Sequence, residues 1–105
     1  MELEESRLGR FAEPALLILV SLAGGSKHGY AIMEDIARLS GLRVGPGTLY
    51  AVIPRLEARG LIAPLPENDR RRPYRLTDQG AAVLQTQLQN MQQVASAGLQ
   101  RLALR

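Results

Sequence analysis

A chain of 105 residues builds one domain with a modest core, not two. Its hydrophobic fraction of 46% is ordinary for a globular protein, and the lack of cysteine removes disulfides, thiolate metal sites and cysteine nucleophiles, which suits a reducing cytoplasm. A net charge of +3 is only mildly basic, so the placement of charge matters more than its sum.

Residues 1–12 are polar, with Leu3, Leu8 and Phe11 scattered among them, and read as an arm that orders against a partner subunit. Glu2, Glu4 and Glu5 are the opposite of the basic start of a signal peptide. A first helix is expected from Pro14 to Ala23, with proline at a first helical position and Gly24-Gly25 as its end. Its residues from Leu16 to Leu22 are apolar almost all round, which demands cover on more than one side. In so small a domain a second subunit is the expected cover, with Leu16 and Leu19 facing it. The longest apolar run, Ala15 to Val20, is far too short to cross a bilayer, so no membrane partner is expected.

A second helix is expected from about His28 to Ser40, with Ile32, Ile36 and Leu39 as the core stripe and Gly41 as the stop. His28 is the only histidine; without cysteine or a carboxylate cluster it makes no metal site, and it reads as a helix-start residue packing locally. Tyr30 and Tyr74 read as core-edge residues bracing the second helix and the hairpin that follows.

The stretch from Val44 to Leu76 carries the functional signal. Proline at 46 and glycine at 60 bracket a third helix of about four turns, in which Leu49, Val52, Ile53 and Leu56 recur at core spacing. The opposite face holds only small residues, Gly47, Ala51, Pro54 and Ala58, flanked by Thr48, Tyr50 and Arg55. A solvated helix would carry long charged side chains there; a small face edged by hydrogen-bonding groups suits close approach to something large, and the DNA major groove admits a helix. Pro54 removes the bond to the Tyr50 carbonyl, at about 3 kcal/mol in a regular helix. Because it faces outward, the expectation is a kinked but continuous helix, with a break at Ile53 as the alternative.

Leu61 to Leu65 and Pro73 to Thr77 then flank Pro66 to Arg72, whose Pro, Asn and Asp mark a turn, so an antiparallel hairpin is expected. Arg70, Arg71, Arg72 and Arg75 fall within six positions and concentrate the cationic charge on it. Beside a groove-sized helix, these arginines point to phosphate contact, although a run of charge is also the ordinary dress of a solvated loop. Thr77 caps a last helix with Asp78 in its first turn. Along it Leu84, Leu88, Met91, Ala95, Gly98 and Leu102 follow a heptad seam, and no charge lies between Asp78 and Arg101. The seam outruns the small core, so it reads as a dimerisation surface.

The expected fold is therefore mainly α with a small β-hairpin: a winged helix-turn-helix over residues 13–78, followed by a long C-terminal dimerisation helix over 79–105. The expected DNA-contacting residues are Gly47, Thr48, Tyr50, Ala51, Arg55, Arg70, Arg71 and Arg72. Those expected at the dimer interface are Leu16, Leu19, Leu84, Leu88, Met91, Ala95, Leu99 and Leu102. Nucleophile–base pairs, phosphate-cradling loops and metal-ligand clusters are missing from the pattern, so neither an enzyme nor a cofactor is expected.

At residue level the chain resembles the PadR family of bacterial transcriptional regulators. The matching segments are Leu8 to Glu13 with the Leu/Ile run after it, His28-Gly29-Tyr30 with Ile32, Gly47 to Tyr50, Arg55 to Glu57, Gly60 to Ile62, and Arg72 to Thr77 with Gly80. In this order and spacing they cover roughly residues 8–84. The resemblance implies a homodimeric DNA-binding protein, usually a repressor, paired through its last and N-terminal helices. In some members a small-molecule effector, phenolic or otherwise aromatic or cationic, releases the DNA. Gly45 departs from the serine that caps this helix in many members, and Pro54 is a second departure. The competing reading is a winged-helix protein-interaction module that does not bind DNA; Glu67 and Asp69 in the wing favour it.

Overall fold

Proline opens the first helix, as its fixed φ and missing N–H favour at a helix start. The computed structural model describes residues 13–105, so the expected N-terminal arm lies outside the described residues. Helix α1 is Pro14–Ala23, and Leu16, Leu17, Ile18, Leu19 and Leu22 are all buried. Helices α2 (Gly29–Ser40) and α3 (Pro46–Ala58) pack against it from one direction, and α4 (Asp78–Ala103) from another. The all-round apolar character of α1 is therefore satisfied inside one protomer. Leu16 and Leu19, only 7% and 5% exposed, are part of the protomer's own core, so little of either is left to face a second subunit.

The stripe on α2 buries Ile32 and Ile36 completely but stops there. Leu39, in the final turn, is exposed, and Gly41 ends the helix in the left-handed conformation at φ 74°. On α3, Leu49, Ile53 and Leu56 are buried and Val52 is half-buried, as the spacing requires. The helix runs through Pro54 unbroken. Pro54 sits on the exposed face, where its ring meets no core neighbour, so the break at Ile53 does not occur.

Three strands form the sheet. Strand β1 is Lys27–His28, β2 is Ile62–Pro64 and β3 is Pro73–Leu76, in the order β1-β3-β2. The hairpin pairs Ile62 with Leu76 and Pro64 with Tyr74, and β1 adds to the far edge of β3 through Lys27–Tyr74 and His28–Pro73. Two residues show no alternation, so β1 was invisible to periodicity. At the wing tip Asn68 and Arg71 exchange backbone hydrogen bonds of 2.8 and 2.9 Å across Asp69 and Arg70. Both central residues have positive φ, 50° and 64°, the mirror-image turn whose twist matches the strands.

Helix α4 begins at a built cap. The Gly80 amide donates to Thr77 Oγ1 at 2.9 Å, while that hydroxyl donates to the Gly60 carbonyl at 2.6 Å, fastening helix to hairpin. Its 26 residues span about 39 Å. Gly80 and Leu84 are buried and Met91 is half-buried, but from Gln92 onward every residue except Ala97 is exposed. The second half of α4 therefore stands clear of its own domain, carrying Val94, Leu99, Leu102 and Leu104 into solvent.

Candidate nucleic-acid interface

The small face of α3 is open. Gly47, Thr48, Ala51, Pro54, Arg55 and Ala58 are all exposed, and a Cβ added at Gly47 would meet nothing within 4 Å. Gly45 precedes the helix without a side-chain cap, leaving first-turn amides free at its start. Tyr50 is 54% exposed at the flank of this face.

The wing brings its arginines to the same side. A cleft of about 340 Å³ is lined by Tyr30 and Tyr50 from the helices and by Arg70, Arg71 and Arg72 from the wing. His28, Gly29 and Tyr74 also line it, and Glu67 is the one carboxylate among its lining residues. All three arginines are exposed, yet they are not equally free. Arg72 Nη1 donates to the Leu65 carbonyl at 2.8 Å and braces the wing; Arg71 Nη1 donates to His28 Nε2 at 3.0 Å; the Arg70 side chain has no hydrogen bond or ion pair among the described residues. A guanidinium has five N–H donors, so both tethered arginines keep donors for a second acceptor.

Tyr30 departs from expectation: it is 59% exposed and lines the cleft, so it does not brace the core edge. Tyr74 is half-buried, as a bracing residue should be. Burial pushes its hydroxyl above the usual tyrosine range, with Glu57 and then Tyr50 adding to the shift, so it remains a neutral donor. His28 stands at the helix start as expected, as the N-cap of α2, but its contact with Arg71 and the place of Gly29 in the cleft were not foreseen. The available signal was their place immediately before Tyr30 at a helix start, but what they touch depends on β1, which the sequence concealed.

A polar network fixes β1. Ser21, 1% exposed within the apolar core, donates from Oγ to Asp35 Oδ2 at 2.7 Å. The Lys27 ammonium bonds the Ser21 and Gly25 carbonyls and lies 3.8 Å from the same carboxylate, with Arg38 3.6 Å away on its other oxygen. The Ser21 hydroxyl above all, then Lys27 and Arg38, hold the Asp35 carboxyl below the usual range against the opposing effect of burial. α1, α2 and β1 are thereby tied at one point, and β1 presents His28 to the wing.

Of the residues expected at a dimer interface, Leu84 is buried against its own domain, Leu88 and Met91 are partly covered, and Ala95, Leu99 and Leu102 are bare. A shallow apolar groove of about 260 Å³ runs beside them, along Ala23, Leu76, Ala81, Leu84 and Leu88. No helix among the described residues is long and apolar enough to cross a membrane, and no cluster of three or more metal-ligating side chains forms among them.

Comparison with known proteins gives one family. The model of the transcriptional regulator PadR-like family matches residues 18–86, from α1 through the first turns of α4. An uncharacterized 37.1 kDa protein of a Streptomyces fradiae transposon is 44% identical over 82 residues; these are 78% of this chain but only 24% of that protein, so the chain spans about a quarter of its length. A transcriptional regulator of Mycobacterium tuberculosis is 36% identical over 83 residues, 76% of this chain and 77% of that one. Among solved structures, a PadR family transcription regulator from Clostridium difficile superposes with a TM-score of 0.73 at 26% identity, covering 84% of this chain and 96% of that one. The sequence match runs from α1 through the wing into the first turns of α4, the fold is shared over most of the chain, and the chain belongs to the PadR-like family of transcriptional regulators.

Proposed function

We propose that this regulator binds double-stranded DNA as a homodimer, reads an inverted-repeat operator and acts as a repressor. α3 enters the major groove on its small face, where Gly47 and Ala51 allow close approach and Thr48, Tyr50 and Arg55 reach outward. The wing arginines Arg70, Arg71 and Arg72 contact the flanking backbone. The observation that carries this reading is the shared cleft: Tyr50 of α3 and the three wing arginines line it together. A loop that is merely solvated has no reason to hold three arginines beside a helix face made of small residues.

The division of labour follows the chain. Residues 13–78 are the reading head and 79–105 the dimerisation helix. Support for the last comes from the bare apolar half of α4, which continues past its own domain with no charge between Asp78 and Arg101. A second copy's helix, laid along this face, covers Leu88, Met91, Ala95, Leu99 and Leu102 together. The groove beside Leu84 and Leu88 lies at the edge of that contact and is the place for a small-molecule effector. The role is non-enzymatic, without a cofactor or resident metal, and its setting is the cytoplasm.

A mobility-shift titration on a duplex of the DNA immediately upstream of the gene tests the reading, with a random-sequence duplex beside it. Tighter binding to the upstream duplex, weakening steeply as salt rises, is the expected result. Equal and salt-insensitive binding to both would contradict it.

A further inference from the structure

The cleft holds two side chains, Arg71 and Tyr50, each set against a residue of the adjacent pair His28–Gly29. Arg71 reaches 3.0 Å from His28 Nε2. A guanidinium only donates, so this nitrogen must carry the lone pair and the proton must sit on Nδ1. The Ala31 amide points at Nδ1 from 3.4 Å, but a neutral imidazole cannot accept at both nitrogens. The shorter contact prevails, and His28 serves the wing before it serves as a helix cap.

Its neighbour Gly29 acts on Tyr50. The Tyr50 ring lies directly on Gly29: a Cβ there would overlap the Tyr50 hydroxyl and stand 2.9 Å from Cζ and 3.0 Å from Leu49 Cδ2. Gly29 is buried, in the first turn of α2, and its φ is not one that demands glycine. The absence of a side chain is explained by the seat it leaves for Tyr50. Alanine would displace the free end of the exposed Tyr50 side chain, while Leu49 Cδ2 in the core would have to give by a few tenths of an ångström.

We infer that His28 and Gly29 are positioning residues for DNA binding: adjacent in the chain, they hold Arg71 of the wing and Tyr50 of α3 in one cleft, poised for a backbone phosphate. The inference rests on the DNA-binding reading and adds to it two residues that need not touch DNA. Holding both donors before contact saves the ordering cost of two long side chains.

Double-mutant cycles test this, with binding measured on the upstream duplex and the random duplex across a salt series. His28→Leu should weaken binding about tenfold, a single contact's worth, and flatten the salt slope by about one unit. His28→Gln, which keeps an acceptor, should recover most of that loss. In an Arg71→Ala background, His28→Leu should cost nothing further. Gly29→Ala should stay folded, bind more weakly, and add nothing to the binding loss of Tyr50→Ala. Penalties that persist undiminished in the Arg71→Ala and Tyr50→Ala backgrounds would overturn the inference and leave DNA binding intact. Failure of the wild-type protein to bind either duplex would remove the DNA-binding reading and this inference with it. If His28→Leu does not fold, the Gln variant and the Gly29 cycle decide.

Discussion

Gly80 is where the long helix meets the hairpin, and Gly80→Ala sets two physical effects against each other. By helix propensity alone the change should stabilise, because glycine in a helix interior costs about 1 kcal/mol relative to alanine. The packing says otherwise. A Cβ at this position would overlap the Leu61 carbonyl oxygen and stand 2.9 Å from the Leu61 carbonyl carbon and from Leu76 Cδ1. Two of those atoms are backbone, which cannot rotate away. That carbonyl accepts the Thr77 amide at 3.1 Å, and Thr77 also bonds the Gly60 carbonyl at 2.6 Å. Relieving the overlap therefore moves α4 off the hairpin and stretches both bonds, each worth about 1 kcal/mol, on top of overpacking strain of about 1–3 kcal/mol. After subtracting the propensity gain, the net loss should be about 2–4 kcal/mol, a fall in melting temperature of roughly 10–25 °C for a domain of this size. Gly98→Ala is the control: nothing lies within 4 Å of its Cβ, so in a single protomer it should gain about 0.5–1 kcal/mol. Urea denaturation at several protein concentrations measures both. A Gly80→Ala variant as stable as wild type would show that the helix–hairpin contact is looser than the geometry states.

Three further outcomes are expected. Arg70 adopts φ 64°, a left-handed conformation costly for a non-glycine residue. Arg70→Gly should raise stability by about 0.5–1 kcal/mol while weakening DNA binding, and a thermal melt and a titration that move in the same direction would refute the trade. Asp35 is held ionised by Ser21, so its contribution is fully present above the unfolded carboxylate range, near pH 3.8, and is lost as pH falls below it. Asp35→Asn should therefore cost about 1–3 kcal/mol at pH 7 and flatten the stability profile below about pH 4; a profile as steep as wild type would mean other carboxylates govern it. Leu99→Glu with Leu102→Glu should leave the protomer folded, since both side chains are bare in it, and yield monomer by light scattering, because four carboxylates would face one another in a desolvated seam. A stable dimer would place the contact elsewhere.

Much of this architecture is legible in the chain because its signals are local. Pro14, Pro46, Gly41 and Thr77 punctuate the helices where the structure does, and the spacing of Leu49, Ile53 and Leu56 separates the buried face of α3 from its open one. What escaped reading depends on tertiary partners. No sequence pattern reveals that four elements of the same protomer converge on α1. β1 is too short for any period, and with it went the His28–Arg71 contact and the exposure of Tyr30. The seam of α4 is a mixed case: its spacing is plain, but only the structure divides it into Leu84, used by the protomer's own core, and Leu99 and Leu102, left bare.

The two-headed geometry is tested most directly by the phase of the operator. A two-fold dimer presents two copies of α3 on one side of the duplex, so its half-sites must be inverted and a whole number of helical turns apart. Inserting about five base pairs between them turns one half-site to the far side of the DNA. Affinity should then fall toward the non-specific level, a loss on the order of several kcal/mol, and about ten inserted base pairs should restore the facing. Affinity unchanged by the half-turn insertion would contradict a dimer that reads with both heads.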